Sequence, residues 1–316
     1  GTEANNLAIK GIAIAAALRR DDRRAHVVTT PIEHESVLES VDYLERVHGF
    51  AATRVRVDEH ARASTDAVAE SLRDDTVLVS IGYANNEVGT VQDAAAIAAV
   101  VQERRIPLHL DAVQAAGWLS LSAAELGYDA ISLAGHKLGA PKGTGVLGVR
   151  GRIPLEPLMH GGGQERGRRS GTEDVAGAVG FATALELAEA ERAEASARVS
   201  AIRDRFIARV LARVTSARLT GDPVHRLAGT ASFTFAGTSG EAVLLELERR
   251  GVVSSSGSAC AAGSDEPSHV LVAMGIAPEV AQTAVRFTFP RWLNAPLDAV
   301  ADAVEASVSA VSEAGR

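Results

Sequence analysis

The chain has 316 residues, 46% hydrophobic and 23% charged, enough for a sizeable buried core in two domains or in one large domain with an appendage. A formal net charge of -8 with no basic block disfavours nucleic acid or an anionic membrane as the main partner. No uncharged apolar run reaches the roughly 18 residues that a bilayer span needs, and a single cysteine excludes an internal disulfide framework or an all-protein thiolate metal cage. The expectation is a soluble, cytoplasmic protein.

Residues 2–11 read as a helix start with no strand before it, as in an amino-terminally incomplete chain. β-branched runs at 25–30, 54–57, 76–81, 107–111, 129–133 and 145–149 then alternate with helical stretches. That alternation predicts an α/β fold, a mainly parallel sheet flanked by helices, with ligands bound beyond the carboxyl ends of the strands. His34 follows the first run and Asn86 the third; Asp111 closes the fourth, and His136 and Lys137 follow the fifth. From 174 to 214 the chain is Ala-, Glu- and Arg-rich, without Gly or Pro after Gly180, which predicts one long helix or two consecutive ones joining two domains. Strands at 231–235, 252–254 and 284–289, with a helix at 241–250 and another near the carboxyl end, make a smaller α+β domain. The expected division is 1–193 and 194–316.

Lys137, one of three lysines, and Asp111 stand at two strand ends. That pair suits pyridoxal phosphate, which needs an amine for its aldehyde and a carboxylate to keep its ring nitrogen protonated. A phosphate loop for a nucleotide does not fit, because the glycines follow the lysine and lead into a strand. Asp111 and Gln114 equally suit a helix N-cap pair. His109 and Asp111 share a strand face, but without a third ligand at a recognisable spacing no metal site is expected. Cys260 lies in a run of small residues, Ser254 to Ser264, too slight to anchor in a core, which favours an accessible thiol over a buried one. The stretch 161–172 combines glycines, three arginines and two hydroxyls and suits either an anion or a solvated loop. Arg286 is either an outward-facing charge or a carboxylate clamp.

These stretches together resemble the NifS/IscS-type cysteine desulfurases of the class V aminotransferase family. The matching segments are residues 2–8, Glu33-His34, 85–92, 109–114, 135–137, 161–172, 255–260 and Val285-Arg286-Phe287. The resemblance implies a type I pyridoxal 5'-phosphate fold and conversion of L-cysteine to L-alanine. Lys137 would hold the cofactor aldehyde and act as general base, with Asp111 paired to the ring nitrogen, His34 stacked on the ring and Gln114 at its hydroxyl. Thr2 and His136 would hold the phosphate, with Thr172 reaching in from the other subunit of a homodimer. Asn86 and Arg286 would bind the substrate carboxylate. Cys260 would take the sulfur as a persulfide and pass it to an acceptor protein, an iron-sulfur scaffold or a transfer-RNA thiolation enzyme. One departure is Ala134, where relatives usually place a phosphate-binding serine. The alternatives are a sister lyase, selenocysteine lyase or kynureninase-like, and a truncated scaffold without cofactor.

Overall fold

The computed structural model describes residues 1–20, 25–256 and 266–314. It divides into two compact units, the first comprising Gly1–Arg56, Ala63–Ala84 and Gln92–Glu191, the second Val57–Arg62, Asn85–Val91 and Arg192–Arg316.

The first unit opens with α1 (Thr2–Asn6), a π-helical turn (Leu7–Gly11) and α2 (Ile12–Ala17). Strands and helices then alternate: β1 (His26–Thr29), α3 (Glu35–His48), β2 (Ala51–Arg54), α4 (Thr65–Ser71), β3 (Thr76–Gly82), α5 (Ala94–Glu103), β4 (Leu108–Asp111), α6 (Ala123–Leu126), β5 (Ala130–Ala134) and β6 (Gly145–Val149). The sheet order is β2-β1-β3-β4-β5-β6. The first five strands pair in parallel and β6 runs antiparallel to β5. The central strands are near-continuous apolar runs because helices cover both faces of such a sheet. Ile9, Ile12, Val27, Val37, Val41, Leu44 and Leu78 form part of one core cluster. At the amino end of α3, His34 is the cap residue; at its carboxyl end Gly49 takes a left-handed φ of 69°, a conformation that costs glycine little.

The second sequence run was expected at 54–57, whereas β2 occupies 51–54. Its pairing with β1 runs from His26↔Ala51 to Thr29↔Arg54. β1 ends at Thr29, two residues before Pro31, so an edge strand has no ladder partner beyond it, whatever the β-propensity of residues 55–57.

A single helix of 39 residues, α7 (Val175–Arg213), carries the chain from the first unit into the second. There β7 (Ala217–Leu219), β8 (Thr230–Phe235), α8 (Gly240–Arg249), β9 (Ser255–Ser256), α9 (His269–Ala273), α10 (Pro278–Ala281), β10 (Val285–Thr288) and α11 (Asp298–Ala314) follow. The antiparallel sheet has the order β7-β8-β10-β9. Phe206 of α7 meets Phe233, Phe287 and Phe289 edge-on, with ring centroids 5.2–6.0 Å apart.

The expected strand at 252–254 is displaced to Ser255–Ser256. The Val252 amide closes α8 on the Leu247 carbonyl, Val253 is 89% exposed, and pairing begins only where Ser255 meets Arg286. Three-residue β7 was not expected; so short a strand leaves no period to read. Among the described residues no helix is long and apolar enough to cross a membrane.

Candidate active site

Asp111 is the last residue of β4, at the carboxyl edge of the parallel strands, and is buried. Its Oδ1 accepts the Val113 amide at 3.0 Å and its Oδ2 accepts Asn5 Nδ2 at 2.7 Å. No Lys or Arg side chain pairs with it among the described residues. Burial pushes its pKa up, and the Val113 amide and the Asn5 side chain oppose that rise. A buried carboxylate whose two hydrogen bonds come from neutral donors fits a cationic ligand atom such as a protonated pyridine nitrogen, so the donor set suits the cofactor. The helix-cap alternative fails: residues 113–118 form turns, and the next helix starts only at Ala123. Gln114, half-buried, lies in that turn.

Lys137 ends a short 3-10 turn, Gly135–Lys137, directly after β5, and both it and His136 are exposed. The turn is packed so closely that a Cβ on Gly135 would fall 2.1 Å from Thr144 Oγ1 and 3.1 Å from the Phe181 ring, so only glycine fits. Partial burial and then the charge of neighbouring Lys137 push the His136 pKa down, with Lys142 adding to the effect. Thr2, exposed, is the first residue of α1. One residue earlier, a Cβ on Gly1 would meet Val113 Cγ2 at 3.0 Å and Ala134 Cβ at 3.3 Å, so this helix start lies beside the ends of β4 and β5.

His34 caps α3 with an extended backbone, its Nδ1 accepting the Ser36 amide at 3.0 Å. Glu33 beside it is buried; Thr30 Oγ1 donates to Glu33 Oε1 at 2.6 Å, and burial raises the Glu33 pKa to about 8. His109, the conceivable metal ligand, is fully buried between hydroxyls, with Ser80 on Nδ1 and Ser132 on Nε2, each at 2.8 Å, and burial lowers its pKa to about 3. Thr172 is exposed, at the end of a loop whose Arg169 forms a surface pair with Glu3.

In the second unit, Arg286 of β10 donates from Nη1 to the Asn86 carbonyl at 2.8 Å, which brings the two expected carboxylate ligands together. Asn85 shapes the turn, its Oδ1 accepting the amides of Glu87 and Val88. Cys260 lies outside the described residues.

The class-V aminotransferase family matches residues 1–293. The chain belongs to the class-V aminotransferase family. An IscS-like cysteine desulfurase of Mycobacterium tuberculosis is 44% identical over 315 residues, covering 98% of this chain and 79% of the relative. A cysteine desulfurase IscS of Methanosarcina thermophila is 43% identical over 291 residues, covering 92% and 70%. Among solved structures, a NifS-like protein superposes with a TM-score of 0.84 at 32% identity, covering 99% of this chain and 80% of that one. SspA, solved in complex with cysteine, gives 0.78 at 35% identity over 92% and 80%. The fold is thus the type I fold of pyridoxal phosphate enzymes, the cofactor on which this family depends, and the family is the NifS/IscS branch expected from the motifs.

Sequence reasoning missed the parts played by Asn5, Ser36 and Glu33. Asn5 and Glu33 sat inside the matched motifs without a role. In α1, which reads Thr-Glu-Ala-Asn-Asn, a polar Asn5 does not stand out; only its hydrogen bond to Asp111 at the end of β4 shows what it serves.

Proposed function

We propose that this protein is a cysteine desulfurase that converts L-cysteine to L-alanine and leaves the sulfur as a persulfide on Cys260. The observation that carries this reading is the 98% coverage at 44% identity with the mycobacterial IscS-like desulfurase. Two features support the assignment of the cofactor to Lys137 and Asp111: both follow or close strands of the first sheet, and Asp111 is a buried carboxylate with no Lys or Arg side chain bonded to it among the described residues. Bound pyridoxal phosphate supplies the electron sink for the carbanion that develops at the substrate Cα. Asp111 keeps the ring nitrogen protonated, and Lys137 holds the aldehyde and then takes the Cα proton. His34 would stack on the ring and Gln114 would reach its hydroxyl. Thr2 and His136 would hold the phosphate, whose charge would offset the Lys137 and Lys142 charges that lower the His136 pKa. Arg286 offers the substrate carboxylate a two-pronged donor beside Asn86. The Cys260 thiolate attacks the substrate sulfur; the S–Cβ bond breaks, its electrons return to the carbon skeleton, and reprotonation yields alanine.

We assign the persulfide to an acceptor protein, an iron-sulfur scaffold or a transfer-RNA thiolation enzyme, in the cytoplasm. A homodimer is supported by Val175, Val179 and Leu187, apolar side chains of one helix that are all more than half exposed, and by exposed Thr172 just before that helix. In that assembly Thr172 serves the phosphate of the neighbouring subunit.

The decisive measurement is alanine release from L-cysteine by the cofactor-loaded protein. Wild type should release alanine and carry one extra sulfur on Cys260 by mass spectrometry. Cys260→Ser should retain the cofactor and the cysteine-induced absorbance change while alanine release nearly vanishes. Alanine release at the wild-type rate from that variant would replace the persulfide route by direct β-elimination.

A further inference from the structure

Four side chains of the first unit form one hydrogen-bonded chain between the two groups assigned to the cofactor ring. Asn5 Nδ2 donates to Asp111 Oδ2 at 2.7 Å and to Ser36 Oγ at 2.9 Å. Ser36 Oγ lies 2.8 Å from His34 Nδ1, which also accepts the Ser36 amide at 3.0 Å. Asn5 and Ser36 are both buried, Asn5 to 1% exposure.

Donor and acceptor rules fix the direction of this chain. An ionised carboxylate only accepts, so Asn5 must turn its NH₂ group, not its oxygen, toward Asp111. The second amide proton then goes to Ser36 Oγ, whose own proton is left to donate onward. Its acceptor is His34 Nδ1, already the acceptor of a backbone N–H. A nitrogen receiving two donors carries no proton of its own. Asn5 Oδ1 is meanwhile buried with no partner among the described residues. Leaving a buried acceptor unsatisfied is costly, yet turning the amide over would aim that oxygen at the carboxylate. The arrangement is therefore held by Asp111 and not by the amide's own hydrogen-bonding needs.

We propose that Asn5 and Ser36 are positioning residues that transmit the charge of Asp111 to His34 and hold its ring proton on Nε2. The stacking histidine is then fixed in orientation and tautomer before substrate arrives, with one N–H edge as its donor. The proposal rests on the reading of Asp111 and His34 as cofactor-ring residues, and it adds two residues to that machinery.

Nitrogen-15 magnetic resonance of the histidine-labelled holoenzyme tests it, with the His34 signals identified by their loss in His34→Gln. Wild type should show a pyrrole-type Nε2 and a pyridine-type Nδ1 shifted by hydrogen bonding. In Ser36→Ala and Asn5→Ala, matched to wild type for bound cofactor by absorbance, the Nδ1 signal should move toward that of an unbonded nitrogen, further in Ser36→Ala. A protonated Nδ1 in wild type would overturn the proposal without any variant, and so would an Nδ1 signal that neither substitution moves. The tautomer is read before turnover, so a wild type with the expected ring signals but no alanine release would sink the desulfurase assignment and leave this inference standing.

Discussion

At the scale of single residues, Lys137, the lysine proposed to hold the cofactor, differs from the other two lysines in environment. Lys10 is tied to Asn6 Oδ1 at 2.6 Å and lies 4.4 Å from the centroid of the Tyr43 ring, with its pKa lowered by burial. Lys142 follows Pro141 in a turn. Borohydride reduction of the holoenzyme followed by peptide mapping should therefore label Lys137 alone; label on Lys10 or Lys142 would dismantle the site assignment. Ala134 is fully buried at the end of β5, at the position where the resemblance implies a phosphate-binding serine. A hydrogen bond to a charged group contributes roughly 1.5–3 kcal/mol, so Ala134→Ser should tighten pyridoxal phosphate binding about tenfold or more in an equilibrium titration. Equal dissociation constants would mean that another donor already serves the phosphate.

At the scale of the element, β4 and the turn before α3 carry titratable groups whose burial acts on stability in opposite directions. His109, on β4 between Ser80 and Ser132, has a pKa of about 3 in the fold against an ordinary 6.5. Below pH 6.5 the unfolded chain takes up a proton that the native strand refuses, so stability is intact above 6.5 and falls as pH drops toward 3. Glu33 has a pKa of about 8 against an ordinary 4.5. Its contribution is complete below 4.5 and is lost as pH rises through 8, because the unfolded chain releases a proton that the native one keeps. Urea midpoints of the cofactor-free protein should show both slopes. His109→Gln should flatten the acid side and Glu33→Gln the alkaline side; slopes unchanged in the variants would place the titration elsewhere. In the second unit, Ser268 caps α9, its Oγ accepting the Leu271 amide at 3.2 Å and donating to buried Glu87 in the turn that carries Asn86. Ser268→Ala removes a helix cap and leaves Glu87 short of a donor, so it should cost about 1–3 kcal/mol of stability. A denaturation midpoint equal to wild type would show that neither bond contributes.

At the scale of the whole molecule, the apolar residues Val175, Val179 and Leu187 of α7 are each more than half exposed among the described residues of a single chain. Analytical ultracentrifugation of the holoenzyme should find a dimer, and Val179→Glu should shift it toward monomer with weaker cofactor retention, because Thr172 would lose the neighbouring phosphate. A wild-type monomer with full cofactor affinity would contradict the shared site.

The alternation of strands and helices, the 39-residue α7 and the positions of Asp111 and Lys137 at strand ends were legible in the sequence, because binary patterning and strand-helix order are local properties. The eight motifs also carried the family and named the residues of the proposed site. Tertiary structure decided what depends on partners distant in sequence. β2 lies at 51–54 because β1 offers it no further ladder, β9 begins only where Arg286 pairs with it, and His109 is a neutral core histidine because folding buries it completely, with Ser80 and Ser132 bonded to its ring nitrogens. Nothing in the spacing of Asn5, Ser36 and Asp111, which are 31 and 106 residues apart from Asn5 in the chain, foretells that they share one hydrogen-bonded line. A side chain's charge and tautomer are set by the donors and acceptors that folding brings around it, and a linear sequence holds those only once the chain has closed on itself.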